Sequence, residues 1–403
     1  MNHTFARYGL AAALSLSLAA CGPLSVSPGD GSAVDGAVDD GATQGMCSAP
    51  IPLMDSDADA VWTVDFARAQ SGYVGVIATR AGEVYAQAYD RSWAAVGERL
   101  ALPSVLSAVA GSRQQPTVAF EAERGAITYG SSLHEVTMSP TGALSLVRSF
   151  VAEQGATRFS LLGAWPRTDG LGRLHVTAIT TDGSAWTAAD GRFALTSAST
   201  QDARFYDAAV QFPTTYSDYL AFDTVPRRAS NNDVRVRKYI PGHGMMLLST
   251  ERTERGTMLA APVRVGDSLW RLHYQFGEPA MALSAGLSLV EHNSASGATL
   301  TRTAIEDNGM VLSGAIASRE GNTDATRLLL AWTRAERPSP MANEVVVQWG
   351  ASGARAVIAR SAFSPVFHGA WVETSDTRGW IVYGLYDTAA SPRRRIFAQC
   401  VSR

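Results

Sequence analysis

From Cys47 onwards, short segments in which hydrophobic and polar residues alternate are separated by Gly, Asp, Ser and Pro. In one of them, residues 73–79 (YVGVIAT) are joined to residues 84–89 (VYAQAY) through Ala81-Gly82. Alternation with a period of two predicts strands with one buried face, and glycine supplies the positive φ that a tight hairpin turn requires. The pattern therefore predicts an all-β body. Further hairpins are predicted at Pro140-Thr141-Gly142, Asp182-Gly183, Val265-Gly266-Asp267, Ser296-Gly297 and Ser352-Gly353.

The predicted hairpins recur at a nearly regular spacing. Gly142 and Gly191 are 49 positions apart, and Gly297 and Gly353 are 56 positions apart. A repeat of about 50 residues that contains four short strands is typical of a β-propeller blade. Residues 47–403 number 357, which is the length of seven such repeats. We predict a β-propeller with seven four-stranded antiparallel blades; six or eight blades, or a pair of β-sandwiches, are the alternatives.

The N-terminal residues follow a different pattern. Arg7 is followed by an apolar run over residues 8–20, which is too short to span a bilayer and is typical of the signal peptide of an exported protein. The run ends in Leu-Ala-Ala-Cys-Gly at residues 18–22, which resembles the lipobox of bacterial lipoproteins. The resemblance implies that residues 1–20 are removed and that Cys21 carries acyl chains that hold the protein to a membrane. An ordinary secretory signal is the alternative.

The residue after the cysteine and the segment that follows refine this prediction. Gly22, rather than Asp, follows Cys21, and by the same resemblance this implies the outer membrane of a cell envelope. Up to about Gly45 the chain consists mainly of Gly, Ser, Ala, Val and Asp, without a basic residue. Such a composition buries too little apolar surface to fold, so residues 21–46 are predicted to be a flexible tether and residues 47–403 the folded body.

Cysteine usage predicts a link between the two ends of the body. If Cys21 is lipidated, Cys47 and Cys400 are the remaining thiols of the chain. A propeller brings its first and last strands together in one closing blade, and residues 395–401 form a plausible last strand. In an oxidising compartment we therefore predict a Cys47–Cys400 disulfide. Two separate buried thiols are the alternative.

Overall charge argues against one class of partner. The formal net charge is −3, with 46% hydrophobic and 18% charged residues, as in a globular protein. Without a basic excess the chain cannot displace the counterions of nucleic-acid phosphates, so we predict that nucleic acid is not a partner. The predicted partners are the membrane, through the acyl chains on Cys21, and a protein or glycan.

One short motif suggests chemistry but lacks the residues to support it. Residues 266–269 (Gly-Asp-Ser-Leu) resemble the nucleophile motif of the GDSL esterases. In that family the serine lies near the start of an α/β domain, and an Asp stands three positions before the catalytic His. Here Ser268 lies mid-chain between strand-like segments, and none of the histidines that follow it has an Asp at that position. We predict that Ser268 begins the return strand of a hairpin and is not a nucleophile.

A weak cation site and an aromatic concentration complete the candidates. Asp55, Asp57 and Asp59 alternate as in the first half of a calcium loop, but the turning Gly and the bidentate Glu of such a loop are missing. A solvated acidic entry to the first strand is the favoured interpretation, and no other cofactor is predicted. Four aromatic residues lie close together near the C-terminus, and core packing is favoured over a ligand groove for them. They are Trp371, Trp380, Tyr383 and Tyr386.

These features favour a non-catalytic binding or scaffolding protein that lipid holds to the cell envelope. Two alternatives stay open: an envelope hydrolase or lyase that acts on polysaccharide or peptide, and a component of an outer-membrane assembly complex. The hydrolase or lyase requires two carboxylates, or a histidine with a carboxylate, that converge near the centre of the propeller. The binding protein and the assembly component require only a rigid, loop-rich surface.

Overall fold

The fold was analysed in a computed structural model of the chain. It describes residues 45–55, 61–79, 82–103, 115–155, 157–169, 171–198, 207–211, 219–226, 232–241, 243–252, 256–259, 261–276, 285–335, 343–361, 366–375, 377–386 and 394–403. In these ranges the secondary structure is β-strand apart from one turn of 3-10 helix at Ala325–Arg327. Nor does any helix there have the length and apolarity needed to cross a bilayer.

The strands follow one another along the chain in groups of four. β1 (Ile51–Asp55) comes first and is followed by β2 (Val61–Arg68), β3 (Tyr73–Thr79), β4 (Val84–Tyr89) and β5 (Ala95–Leu102), then by β6 (Thr117–Glu121), β7 (Arg124–Tyr129), β8 (Ser132–Met138) and β9 (Leu144–Val151). After the short pair β10 (Glu153–Gln154) and β11 (Thr157–Arg158) come β12 (Leu161–Thr168), β13 (Leu174–Thr180), β14 (Ala185–Ala189) and β15 (Arg192–Ser197), then β16 (Asp207–Gln211), β17 (Tyr219–Pro226), β18 (Asn232–Ile240) and β19 (Gly244–Arg252). The last part contains β20 (Gly256–Leu259), β21 (Val263–Val265), β22 (Ser268–Phe276), β23 (Ala285–Asn293), β24 (Thr299–Ala317), β25 (Leu329–Ala335), β26 (Asn343–Trp349), β27 (Arg355–Ser361), β28 (Val366–Val372), β29 (Arg378–Tyr386) and β30 (Arg394–Ser402).

These strands form the seven antiparallel blades of a β-propeller, which confirms the predicted fold. Blades 1 to 4 are β2–β5, β6–β9, β12–β15 and β16–β19. Blades 5 and 6 share β24, whose first half pairs with β23 as an outer strand and whose second half pairs with β25 as an inner strand. Blade 7 consists of β28, β29, β30 and, as its outermost strand, β1.

Blade 7 closes the ring by joining the two ends of the body. β1 pairs with β30 antiparallel, with Ile51 opposite Ala398. Beside this pair, Cys47 and Cys400 form the predicted disulfide, with their Cα atoms 5.1 Å apart. The Cys47 backbone N–H also donates to the Cys400 carbonyl at 3.1 Å. A covalent link and strand pairing therefore hold the first and last strands together.

Local sequence explains the hairpins that build each blade. Between β13 and β14, Gly183 has a φ of +82°. The Asp182 carboxylate accepts hydrogen bonds from the Ser184 backbone N–H at 3.1 Å and from the Ser184 hydroxyl at 2.9 Å. An acidic residue that bonds its own turn, followed by glycine at positive φ, fixes the chain reversal locally. The other predicted hairpins are also present, between β3 and β4, β8 and β9, β21 and β22, β23 and β24, and β26 and β27.

The hydrophobic core is divided among the junctions between blades. Buried side chains of the described residues form seven clusters, and each cluster lies between two neighbouring blades. The reason is that both faces of every blade pack against a neighbour, so strands such as β3 are buried along their whole length. The ring is thus held by seven separate apolar contacts.

The two sides of the propeller carry different connections. Because the strands of each blade are antiparallel, the links from first to second strand and from third to fourth strand lie on one side. The fourth strand of blade 7 is β1, so the chain enters the body on that same side, where Met46 bridges Val401. We call it the tether side.

Candidate functional site

The innermost strands of five blades surround a central cavity of about 390 Å³. Ala261, beside blade 5, also lines it. The volume lies near the lower end of the range of small-ligand sites, roughly 300–1,000 Å³. The lining residues from the strands are Asp65 and Phe66 of β2, Thr117, Val118 and Ala119 of β6, Leu162, Gly163, Ala164 and Trp165 of β12, Gly314, Ala315 and Ile316 of β24, and Phe367, His368, Gly369, Ala370 and Trp371 of β28, with Gln115 and Pro116 preceding β6.

A Gly-Ala-Trp sequence occurs on two of these inner strands, at residues 163–165 and 369–371. In each case the indole ring lies over the glycine two residues before it, so that a Cβ at Gly163 or Gly369 would clash with the ring. The glycines let the tryptophans fold against their own strand and leave backbone and alanine methyl groups at the cavity wall. The cavity is therefore open because its wall is built from small residues.

Polar groups enter the cavity at a few positions. The Asp65 carboxylate accepts a hydrogen bond from the Val118 backbone N–H at 2.8 Å, which joins the inner strands of blades 1 and 2. His368 lies on β28, with its ring centroid 6.1 Å from that of Phe66. Thr117 shares a hydrogen bond with Thr128 at 2.7 Å. The cavity thus combines a carboxylate, an imidazole and a hydroxyl with aromatic rings.

This combination of side chains suits ligand binding. It also contains one carboxylate and one histidine, which are residue types that can act as acid and base. Aromatic faces pack against sugar rings or apolar side chains, and carboxylate and imidazole groups bond polar ones. Asp65 and His368 come from blades 1 and 7, which are neighbours only because the ring closes. A carboxylate and a histidine, the residue types that the hydrolase alternative requires, therefore line the same central cavity.

The site residues predicted from sequence have different outcomes. Cys47 and Cys400 are joined as predicted. Cys21, Asp57 and Asp59 lie outside the described residues, and Asp55 is the last residue of β1. Within the described ranges, no group of three or more His, Cys, Asp or Glu side chains is placed to hold a metal ion. Lipidation of Cys21 and the weak calcium site stay predictions.

Ser268 occupies the hairpin position that the sequence predicts. Gly266 has a φ of +56°, and Ser268 begins β22 opposite Val265 of β21. The Ser268 hydroxyl donates to a Glu291 carboxylate oxygen at 2.7 Å. A hydroxyl that donates to a carboxylate on the neighbouring strand serves strand pairing in this position.

Sequence reasoning missed Asp65 and His368, and it favoured a core role for the aromatic residues. Trp380 and Tyr383 are indeed buried, whereas Trp371 is half-buried and also lines the cavity. The sequence feature that could have indicated the cavity is the Gly-Ala-Trp sequence, which occurs once in blade 3 and once in blade 7. A small-small-aromatic sequence on an inner strand marks where the backbone approaches the cavity.

Two clusters of buried charged groups lie on the two faces of blade 4. On the face toward blade 3, Arg237 Nε donates to an Asp223 carboxylate oxygen at 2.6 Å and Arg237 Nη1 donates to the Gly183 carbonyl at 2.9 Å. Burial raises the pKa of Asp223 to about 6, although the Arg237 guanidinium acts in the opposite direction. A buried charged pair thus lies beside the apolar cluster between blades 3 and 4.

On the face toward blade 5, Arg271 is fully buried. Its Nε donates to His292 Nε2 at 2.8 Å, and its Nη2 donates to Glu251 at 3.1 Å. His292 Nδ1 in turn lies 3.1 Å from the Gly297 carbonyl, so the ring is neutral with its proton on Nδ1. Burial first and Arg271 second lower the pKa of His292 to about 4. Burial likewise lowers the pKa of His273, which lies 3.5 Å from Glu251.

Comparison with known proteins finds similarity only to solved structures, at low sequence identity. No protein-family model and no curated protein matches the chain. Among solved structures, the WD40 domain of SCAP from fission yeast is 8% identical, with a TM-score of 0.44 over 87% of this chain and 98% of that one. Hydrazine synthase from Kuenenia stuttgartiensis is 10% identical, with a TM-score of 0.48 over 80% and 92%. A chain of the mitotic checkpoint complex is 9% identical, with a TM-score of 0.48 over 93% and 98%.

Proposed function

We propose that the protein is a lipid-anchored, non-catalytic binding protein of the cell envelope that takes part of a protein or glycan partner into its central cavity. The observation that supports it best is the cavity itself. Small residues keep it open, two half-buried tryptophans border it, and Asp65 and His368 supply polar contacts. A narrow group, such as a sugar unit or an extended peptide segment, fits such a cavity.

The proposed location rests on two features of the chain. The Leu-Ala-Ala-Cys sequence before Gly22 resembles a lipobox, and the Cys47–Cys400 disulfide suits an oxidising compartment outside the cytoplasm. Both features support export. Gly22, rather than Asp, follows Cys21, and by resemblance to lipoproteins this favours the outer membrane.

Lipidation is tested by labelling with palmitate in cells. The wild-type chain should incorporate the label, whereas Cys21→Ser should not, because only a thiol accepts the diacylglycerol group. Cys47→Ser is the matched control, since it removes a cysteine of the body and leaves the lipobox intact. Equal labelling of Cys21→Ser and wild type would contradict the proposed anchor.

Binding is tested by calorimetry with soluble cell-wall glycan fragments and with unstructured peptides. Asp65→Asn and His368→Ala should each weaken binding of the true ligand class about tenfold, because each removes a polar contact within a desolvated site. Asp190→Asn and His243→Ala are the matched controls, because both residues are exposed in turns away from the cavity. Unchanged affinity in both cavity variants would place the ligand elsewhere.

The presence of Asp65 and His368 in one cavity also favours a second candidate, an envelope hydrolase or lyase. A carboxylate and an imidazole in one cavity provide the groups for proton transfer. This candidate predicts turnover of envelope polysaccharide or peptide, with loss of activity in Asp65→Asn and in His368→Ala. Binding without turnover, lost in the same variants, would support the non-catalytic function.

A further inference from the structure

The outer surface of the propeller carries an arc of exposed aliphatic side chains. Single exposed hydrophobic residues are ordinary, but residues of this kind on four successive blades need an explanation. All large hydrophobic side chains that are exposed among the described residues belong to blades 2 to 5. They are Val147 (49% exposed), Leu171 (79%), Met246 (47%), Leu247 (50%), Leu248 (37%) and Leu300 (52%).

The arc lies toward the tether side. Leu171 is in the link between the first and second strands of blade 3, which is on that side. Leu300 is the second residue of β24 and Met246 the third residue of β19, so each closely follows a link on the same side. Leu248 lies beside the link that precedes Leu300, since its Cδ1 is 3.6 Å from a Cβ built at Gly297. Blades 4 and 5 therefore present their apolar residues together.

Leu171, the most exposed of these residues, is held outward by a fixed loop. The Asp169 carboxylate accepts hydrogen bonds from the backbone N–H groups of Leu171 and Arg173, at 2.9 and 2.8 Å. The Gly172 carbonyl accepts a further bond from Arg124 at 2.7 Å. A loop that is tied at both ends does not fold its leucine back against the body, so the side chain projects toward whatever lies on the tether side.

The outer strand of blade 4 carries its charged residues, Glu251 and Arg252, only at its C-terminal end, away from the tether side. Exposed edge strands are usually guarded by charged residues, which prevent pairing with other chains. β5 carries Glu98 and Arg99, and β27 carries Arg355 and Arg360. Residues 244–250 of β19, in contrast, contain no charge. Such an edge suits an apolar environment better than open solvent.

The chain outside the described residues indicates what covers this region. The described part of the chain begins at Gly45, on the tether side, and Cys21, the predicted site of lipidation, lies 24 positions earlier. If these residues form the flexible tether that the sequence predicts, a chain of that length has an r.m.s. end-to-end distance of roughly 25–30 Å. Tethering at this distance gives an effective concentration in the millimolar range, so even a weak apolar surface is occupied. We infer that the arc docks on the lipid surface in which the Cys21 acyl chains are inserted.

This inference rests on the proposed anchoring, and it adds an orientation to it. With the tether side against the lipid, the links between second and third strands and between blades face away from the membrane. Aliphatic side chains on a rigid surface bind at the boundary between headgroups and acyl chains, in proportion to the apolar area they bury. The ends of the central cavity then differ, because one faces the membrane and the other faces the surrounding compartment.

The test measures the body without its lipid. Residues 41–403, a compact unit that contains all seven blades and the disulfide, are floated with vesicles of phosphatidylethanolamine and phosphatidylglycerol in a 3:1 ratio. The unacylated body should partition onto the vesicles. The triple variant Leu171→Ser/Leu248→Ser/Leu300→Ser should partition at least tenfold less, because three inserted aliphatic groups are lost. Ala95→Ser/Ala101→Ser, on the outer strand of blade 1, is the control and should partition like wild type.

The outcomes separate this inference from the anchor. Equal flotation of the triple variant and wild type, with both folded by near-ultraviolet circular dichroism, would overturn the docking arc even if palmitate labels Cys21. Flotation that depends on the three leucines, without palmitate on Cys21, would retain the arc and remove the proposed anchor. If wild type dimerises in sedimentation, the triple variant is monomeric and neither binds vesicles, a second copy of the chain covers the arc and the lipid assignment is wrong.

Discussion

Blade 1 contacts both of its neighbours through large apolar clusters, whereas blade 4 contacts its neighbours through smaller apolar clusters together with buried charged groups. Between blades 7 and 1, aromatic rings dominate: Trp93 stacks on Tyr73 with centroids 3.9 Å apart, and Trp371 and Trp380 lie within about 6 Å of Trp93. On either side of blade 4, the described apolar clusters hold five buried residues each, compared with twelve between blades 7 and 1. The charged groups Asp223–Arg237 and Glu251–Arg271–His292 also lie at these two junctions.

The difference shows that neighbouring blades can be held together in two ways, which should respond differently to substitution and to pH. Apolar packing depends on shape and responds to lost volume, since deleted atoms leave a cavity. A buried ion pair contributes little net stability because desolvation opposes the attraction, yet loss of one partner leaves an uncompensated charge. The closing junction should therefore respond to truncation, and blade 4 to charge and pH.

Removal of the central ring at the closing junction should have the largest effect. Trp93 is 2% exposed and contacts rings from blades 1 and 7. Trp93→Ala should reduce the free energy of unfolding by about 5 kcal/mol, through lost apolar burial and the cavity left behind. Urea denaturation measures it, with Leu171→Ala as an exposed control that should change the value by less than about 0.5 kcal/mol. A loss below about 1 kcal/mol for Trp93→Ala would show that the junction repacks.

At blade 4, replacing one member of the buried ion pair should destabilise the fold more than replacing both members. Asp223→Leu leaves the Arg237 guanidinium buried without its carboxylate and should cost about 4 kcal/mol. Asp223→Leu/Arg237→Met removes both charges and should unfold within about 1 kcal/mol of wild type. Denaturation of the three proteins at pH 7 tests this, and equal losses in single and double variants would show that apolar contacts, not charge, govern the junction.

The comparison also shows which parts of the fold local sequence determines. Alternation and Gly-containing turns predicted the hairpins, and their spacing predicted seven blades, because each blade is built from consecutive strands. β24 was not predicted as one strand, since Asp307-Asn308-Gly309 reads as a turn. There, pairing with β23 on one side and β25 on the other keeps the chain extended between two blades.

The candidate site was less predictable for a related reason. Asp65 and His368 are lone polar residues within apolar segments, and they lie 303 positions apart. Only closure of the ring brings blades 1 and 7 together, so their joint position in the cavity depends on the whole chain. The Cys47–Cys400 disulfide could be predicted because the chain offers few cysteines, whereas Asp and His occur many times.

The neutral histidine beside blade 4 should make stability depend on pH. His292 takes up a proton near pH 6.5 when unfolded but only near pH 4 when folded. The unfolded state therefore binds more protons in this window, so stability from this group is present above pH 6.5 and is lost as the pH falls toward 4, by roughly 3 kcal/mol in all. His292→Gln, which keeps an acceptor for Arg271, should make the profile less steep between pH 6.5 and 4, whereas His273 still contributes in this window. An unchanged slope in denaturation at several pH values would contradict this.

The ion pair in the half-exposed part of the same cluster should contribute least to the free energy of unfolding. Arg302 pairs with Glu251, and the two side chains are 36% and 28% exposed. Solvent screens such a pair, and ordering two long side chains costs entropy, so it should contribute less than about 1 kcal/mol. Arg302→Gln should lower the free energy of unfolding by that amount at low salt and by less in 1 M NaCl, because ions screen the exposed charges. Glu251 would still be paired with Arg271, which is why the loss stays small. A loss of 3 kcal/mol or more that salt does not change would mean that Arg302 belongs to the buried network, and the contrast between the exposed and buried parts of this junction would then be wrong.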